Sequence, residues 1–130
     1  MKTAFIIIDV QNILVEIGFE TQKLLEKISY LQDQARKQQI EIIYIQHIET
    51  EEALTSEDWK LSPLLKRQSD EKVFQKRYNS MFKETGLKEY LDQQGIEKLV
   101  LCGMQTEYCV DTSVKVAFEH GYKLVVPEGT

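Results

Sequence analysis

The stretch AFIIIDVQN, residues 4–12, decides the fold, because an apolar run that stops at a carboxylate is typical of a buried parallel strand with a polar residue at its end. Similar runs with strand character recur at Ala4–Val10, Ile40–Gln46, Lys72–Gln75, Lys98–Gly103 and Lys123–Val126. Helical patterns lie between most of these runs. The alternation predicts a three-layer α/β/α fold, with a Rossmann-like parallel sheet, right-handed crossovers and helices on both faces.

Three amphipathic helices are predicted between the strands. The first places four apolar residues on one face, which are Leu24, Ile28, Leu31 and Ala35. The second is bracketed by Thr85 as its N-cap and Gly95 as its C′ residue. The third is predicted from about Thr106 to His120. Its predicted inward face carries Val110, Val114, Ala117 and Phe118.

Length and composition indicate a single compact domain. The chain has 130 residues, of which 42% are apolar, enough for one compact domain over residues 1–130 with one active site. The net charge is -5 and the acidic residues are spread along the chain, which argues against nucleic acid or an anionic membrane as partner. No run is long enough for a membrane span or a signal peptide. Cys102 and Cys109 match no zinc or redox spacing, so we expect a reduced, cytoplasmic protein.

The connection between the second and third predicted strands, from Glu49 to Asp70, is long and polar. It has few apolar anchors, which are Trp59, Leu61, Leu64 and Leu65. Long connections of this kind often cover a binding site in compact domains. We therefore expect this segment to lie close to the site.

Two candidate site residues follow predicted strands. Ligands bind at the carboxyl ends of parallel strands, so polar residues at those ends have priority. Asp9 follows the first strand and Lys76 follows the third. Taken alone, Asp9 also fits an Asx-turn or a helix N-cap, and Lys76 also fits a solvated lysine. The residues by themselves leave these alternatives open.

Cys109 lies near the start of the third predicted helix. If Thr106 is the N-cap, Cys109 occupies N3, where unpaired N–H groups and the helix dipole favour a thiolate. A thiolate is the nucleophilic form of cysteine. The alternative is a small buried core residue, the usual position of a free cysteine. Cys102 lies inside an apolar run and is interpreted as structural.

Three blocks of the sequence, taken together, resemble the isochorismatase-like cysteine hydrolases, a family that includes nicotinamidases and N-carbamoylsarcosine amidases. The blocks are FIIIDVQN, VFQKRYNSMF and LVLCGMQTEYCV, at residues 5–12, 73–82 and 99–110. The positions that match the family's motifs are Asp9, Gln11, Lys76, Ser80, Phe82, Gly103, Thr106, Cys109 and Val110. The resemblance spans nearly the whole chain. Family members usually continue past the last predicted strand, so the C-terminal part of the usual domain is expected to be absent.

The resemblance implies a triad in which Cys109 is the nucleophile, Asp9 the general base and Lys76 the cation that holds both anionic forms. It implies hydrolysis of a small amide or a related C–N bond. Negative charge on the carbonyl oxygen would be received by the backbone N–H groups of Gln105 and Cys109. The family's cis peptide would fall at Met104–Gln105, at a cost of roughly 3–4 kcal/mol.

Four residues close to the triad in sequence are candidates for the substrate pocket, namely Gln11, Tyr78, Phe82 and Tyr108. The chain has two histidines, His47 and His120, far apart in sequence, so the metal site of nicotinamidases is incomplete and we expect neither a metal nor a cofactor. His47 follows the second strand and could still reach the pocket. Pockets in this family often include a neighbouring subunit, which implies a homo-oligomer that binds a small-molecule substrate.

Other functions stay open at this point. A shortened chain could be a catalytically silent scaffold or interaction protein, because a shared fold does not guarantee activity. A vinyl-ether hydrolase is a further alternative. A phosphotransfer protein fits less well, because Gln11 stands where an aspartyl phosphatase needs a second Asp. The presence of all three triad residue types argues against the scaffold.

Overall fold

The computed structural model describes residues 2–11, 21–48, 57, 60–103 and 110–127. The strands of its sheet are β1 (Thr3–Ile8), β2 (Glu41–His47), β3 (Lys72–Lys76), β4 (Lys98–Gly103) and β5 (Lys123–Val125). The described helices are α1 (Thr21–Lys37), α2 (Leu87–Gln93) and α3 (Asp111–Glu119), with a short 3-10 helix at Pro63–Leu65. Every predicted strand is present, and its ends differ from the prediction by at most two residues. Among the described helices, none has the length and apolar character needed to cross a membrane.

The strands form one sheet in which every neighbouring pair is parallel. The spatial order is β3-β2-β1-β4-β5, so β1 lies in the centre. Ile8 at the end of β1 pairs with Ile45 of β2 on one side and with Gly103 of β4 on the other. The strand order reverses between β1 and β4, and open α/β sheets bind their ligands in the crevice at such a point. The predicted parallel α/β fold is confirmed.

Helices cover both faces of the sheet because β1 is apolar on both faces. Ile6 and Ile8 belong to the core on the side of α2 and α3. Phe5 and Ile7 belong to the opposite core, which α1 closes through Ile28. Alternate residues of one strand therefore serve two cores, and this produces the three layers that the sequence predicts.

The two ends of α2 differ in how well the sequence predicts them. Gly95 is the C′ residue, as predicted, with a φ of 70°, and its N–H donates to the carbonyl of Asp92 at 3.1 Å. The predicted position of the N-cap, Thr85, is one residue too early. The chain reverses at Gly86, which has a φ of 78° and is the N-cap. The hydroxyl of Thr85 instead accepts the N–H of Leu87 at 3.2 Å.

The predicted buried face of α3 is wrong at one position, Phe118. Of the four apolar residues predicted to face inward, three pack against the core, but Phe118 is 74% exposed. At about 100° per residue, Phe118 lies about 80° from Val110, whereas Ser113 lies about 60° away on the other side. The core contacts the side of Ser113, whose buried hydroxyl accepts the N–H of Met81 at 3.0 Å.

A polar cluster fastens the segment before β3 to α1 and β2. Glu71 accepts hydrogen bonds from the Tyr44 hydroxyl at 2.8 Å and from the Arg36 guanidinium at 2.9 and 3.1 Å. Gln32 donates to the Tyr44 hydroxyl and to a backbone carbonyl of the segment, at 2.8 and 2.7 Å. Burial acts to raise the pKa of Glu71, but these hydrogen bonds outweigh it and the pKa is lowered overall. The segment is thus held by an ionised carboxylate.

We expect the free energy of unfolding to decrease in acid as Glu71 becomes protonated. The pKa of Glu71 is lower in the folded protein than its unfolded value of about 4.3, so the stabilisation is complete above that value and is lost as the pH falls through the folded pKa. Urea titrations of wild type and Glu71→Gln at a series of pH values measure this effect. The stability difference between the two proteins should shrink below about pH 4.3. A difference that stays constant through this range would contradict the assignment.

Candidate active site

Three polar side chains meet at the carboxyl edge of the sheet. Asp9 follows β1, His47 ends β2 and Lys76 ends β3. His47 and Lys76 are register partners in the β2–β3 pair. The three strands are parallel neighbours, so these residues follow one another along the same edge of the sheet, and Asp9 is the one next to the point where the strand order reverses.

Asp9 and Lys76 form a buried ion pair. The Nζ of Lys76 lies 3.3 Å from Oδ2 of Asp9, and the two side chains are 0% and 1% exposed respectively. Lys76 is therefore not the solvated lysine that its sequence context also allowed. A buried charge whose partner is removed costs about 3–5 kcal/mol, so each of these residues depends on the other.

The ammonium group of Lys76 contacts two further acceptors. It donates to the backbone carbonyl of Tyr78 at 3.0 Å, and Nδ1 of His47 lies 3.3 Å away. Toward Asp9 the ammonium has ion-pair distance without hydrogen-bond geometry, and neither carboxylate oxygen has a hydrogen-bond donor among the described residues. A buried carboxylate with open acceptor positions is suited to take a proton from a neighbouring group.

The backbone at Asp9 adopts the left-handed conformation, with a φ of 58°. This conformation costs most side chains about 1–2 kcal/mol, and Asp is one of the few residue types that adopt it repeatedly. The N–H of Asp9 donates to the carbonyl of Ile45 at 2.9 Å, and its own carbonyl accepts the N–H of Gln11 at 3.0 Å. In an Asx-turn the N–H of Gln11 would donate to the carboxylate of Asp9. Here it donates to the backbone carbonyl of Asp9 instead, so the Asx-turn that the sequence also allowed is excluded.

The buried side chain of Gln11 holds the end of β2. Its Nε2 donates to the carbonyl of His47 at 2.9 Å, and its Oε1 accepts the N–H of His47 at 2.7 Å. Gln11 also forms an isolated antiparallel bridge with Leu61, and the N–H of Ser62 donates to the carbonyl of Val10 at 2.9 Å. The long connection before β3 therefore reaches the edge of the site. Gln11, a predicted pocket residue, is held there by backbone groups.

The end of β4 brings the chain close to Asp9. Gly103 has a φ of 150°, and a Cβ at this position would lie 2.8 Å from the carbonyl carbon of Ile8 and closer still to its oxygen. The last residue of β4 therefore lies beside Ile8, the residue before Asp9. Cys102 is buried in the core on the side of α1, and burial raises the pKa of its thiol. This environment is that of a structural, unreactive cysteine.

The other predicted site residues divide into two groups. Tyr78 is 41% exposed, with the ammonium of Lys83 4.0 Å from its ring centre. Phe82 packs against His120 and Tyr122, and the pocket roles of Tyr78 and Phe82 stay predictions. The residues that lie outside the described ones are Met104, Gln105, Tyr108 and Cys109. The predicted oxyanion donors, the cis peptide and the position of the nucleophile therefore also stay predictions.

For metal binding, the structure can be searched only over the described residues. Within that part of the chain, there is no group of three or more His, Cys, Asp or Glu side chains that could hold a metal ion. Because Cys109 and its neighbours lie outside that part, metal independence stays a prediction.

Sequence reasoning missed the contact between His47 and Lys76. The signal that could have revealed it is strand pairing, because both residues end strands that lie next to each other. Nothing in the local sequence around either residue indicates the other.

Comparisons with known proteins agree with this architecture. A family model described as "Isochorismatase domain" matches residues 3–129. The chain is 29% identical over 138 residues to YddQ, an uncharacterized isochorismatase family protein of Bacillus subtilis (strain 168), covering 98% of this chain and 76% of YddQ. It is 28% identical over 130 residues to streptothricin hydrolase of Streptomyces noursei, covering 95% of this chain and 47% of that enzyme. The crystal structure of an isochorismatase family protein superposes with a TM-score of 0.88 at 30% identity, covering 94% of this chain and 75% of that one.

The Lys76→Met variant should lose about 3–5 kcal/mol of stability, because it leaves the Asp9 carboxylate buried without a counter-charge. Adding Asp9→Asn should recover part of this loss, since the pair is then replaced by two neutral side chains. Urea denaturation of both single variants and the double variant measures the coupling. Lys123→Met, at an exposed lysine of β5, is the matched control and should change stability by less than about 0.5 kcal/mol. A double variant no more stable than Lys76→Met would contradict the ion pair.

Proposed function

The chain belongs to the isochorismatase family, and on that premise we propose that it is a cysteine hydrolase that cleaves a small amide or a related C–N bond. In this proposal Cys109 is the nucleophile, Asp9 is the base and Lys76 is the cation beside them. The observation that supports it most is the buried Asp9–Lys76 ion pair. The pair lies at the reversal point of the sheet, where the chain continues from Gly103 toward Cys109.

The first half of the reaction forms an acyl-enzyme. Asp9 takes the thiol proton of Cys109 while the sulfur bonds to the carbonyl carbon of the substrate. The C–N bond then breaks, the acyl group stays on sulfur as a thioester, and the leaving nitrogen receives the proton from Asp9. Lys76 compensates the negative charge, which moves between carboxylate and sulfur during these steps.

The second half releases the acyl group. Asp9 removes a proton from water as the water oxygen attacks the thioester carbon, and the C–S bond breaks to give a carboxylic acid. The sulfur of Cys109 recovers its proton from Asp9. In both halves negative charge builds on the carbonyl oxygen, and the backbone N–H groups of Gln105 and Cys109 receive it.

Two further arguments favour an enzyme over a scaffold. A buried ion pair is a weak source of stability, and replacing such a pair by apolar residues is often neutral or stabilising. A scaffold would therefore gain nothing from Asp9 and Lys76, whereas a proton-transfer site requires them. One relative is also named a streptothricin hydrolase, which supports hydrolysis as the reaction class.

Cys109→Ala should abolish turnover of small primary amides and carbamoyl compounds, because it removes the nucleophile and little volume. It should also prevent labelling by iodoacetamide near neutral pH. Cys102→Ala is the matched control, since its thiol is buried and burial raises its pKa. That variant should keep both turnover and labelling. Steady-state assays and intact-mass analysis measure the two effects.

Turnover of Cys109→Ala close to that of wild type would refute covalent catalysis. Cleavage of vinyl ethers, with no amide or carbamoyl compound cleaved, would favour the vinyl-ether alternative. An unreactive Cys109 in the folded protein, with no compound cleaved, would favour the scaffold.

Asp9→Asn should lower kcat by about 100-fold or more and change KM little, because Asn cannot take the thiol proton. Asn also tolerates the φ of 58° at this position. Because the substitution leaves the buried Lys76 ammonium without its counter-charge, thermal unfolding checks that the variant is folded under the assay conditions. Asp33→Asn, on the exposed side of α1, is the control and should leave both constants unchanged. If Asp9→Asn instead keeps kcat and raises KM, Asp9 only positions the substrate.

A further inference from the structure

The contact between Lys76 and His47 determines the tautomer of the histidine ring. Nδ1 of His47 lies 3.3 Å from Nζ of Lys76. A lysine ammonium has three donors and no acceptor, so the ring nitrogen that faces it must carry a lone pair. The proton of the neutral ring therefore resides on Nε2. A histidine protonated on both nitrogens would direct an N–H at the ammonium and repel it.

The backbone of His47 is held independently of its side chain. The amide of Gln11 bonds both the carbonyl and the N–H of His47, at 2.9 and 2.7 Å. The following residue, Ile48, donates its N–H to the carbonyl of Lys76 at 2.8 Å. These bonds fix the backbone position from which the imidazole extends. Because they involve only backbone atoms of residues 47 and 48, replacing the His47 side chain leaves them all in place.

The described contacts of the Lys76 ammonium are of two kinds, hydrogen bonds and charge attraction. The carbonyl of Tyr78 accepts one N–H at 3.0 Å, and Nδ1 of His47 is the acceptor on β2. The carboxylate of Asp9 attracts the ammonium at 3.3 Å but does not accept a hydrogen bond in this geometry. Among these described groups, the Tyr78 carbonyl and Nδ1 of His47 have hydrogen-bond geometry toward the ammonium, whereas Asp9 attracts it by charge.

We propose that His47 is a positioning residue that, through the lone pair of Nδ1, holds the Lys76 ammonium against Asp9. The inference rests on the proposed function, because it matters for catalysis only if Lys76 stabilises the thiolate of Cys109. His47 acts through Lys76 and does not itself exchange protons with the substrate.

Two substitutions with the same number and branching of side-chain heavy atoms separate the lone pair from the shape of the side chain. His47→Asn keeps an acceptor close to the position of Nδ1, whereas His47→Leu removes it. The rate of Cys109 alkylation by iodoacetamide near neutral pH should fall about 10- to 100-fold in His47→Leu, because the displaced ammonium no longer favours the thiolate. His47→Asn should restore most of the wild-type rate. Thermal unfolding of both variants checks that the fold persists.

Nitrogen NMR of histidine-labelled protein provides a readout that does not depend on Cys109. The chain has two histidines, so the signals lost in His47→Asn identify those of His47. We expect an unprotonated Nδ1 and a protonated Nε2 at neutral pH. A protonated Nδ1, equal alkylation rates in His47→Leu and wild type, or no rescue by His47→Asn would overturn the proposal. If Cys109 is unreactive in wild type, the proposed function fails, while the NMR result still decides the contact.

Discussion

The site depends on one constraint, which is that the charges of Asp9 and Lys76 are buried together. Neither side chain is more than 1% exposed, and the two charged atoms are 3.3 Å apart. Burial of either charge alone would cost several kcal/mol, so the fold must bring the ends of β1 and β3 to a common edge. The parallel sheet does this, because all its strands point their carboxyl ends in the same direction. Both charged side chains therefore lie next to each other at the carboxyl edge of the sheet.

Several features around the pair restrict its position. The left-handed backbone of Asp9 turns the chain out of the sheet, and the side chain of Gln11 then returns to bond the end of β2. On the other side, Gly103 lets β4 approach β1 more closely than any side chain would permit. The described part of the site is thus built from backbone geometry at three strand ends, which restricts the position of Asp9.

The sequence predicts much of this arrangement because strand ends are encoded locally. Apolar runs identify the strands, and Asp9 and Lys76 follow those runs directly, so their convergence needs only the rule that ligands bind at carboxyl ends. The contact of His47 with Lys76 depends instead on which strands are neighbours in the sheet. The order of strands cannot be deduced from the local sequence pattern of any one strand. Phe118 shows a similar limit, because periodicity defines a helical face only to within about one residue step of 100°.

The central claim is that a buried cation beside Asp9 makes Cys109 a nucleophile at neutral pH. The most direct test is the pH dependence of the rate at which iodoacetamide alkylates Cys109 in the folded wild-type protein. The account predicts that the rate reaches half its maximum well below about pH 8.5, the ordinary pKa of a cysteine thiol, because the Lys76 charge favours the thiolate. A midpoint at or above about pH 8.5 would contradict it.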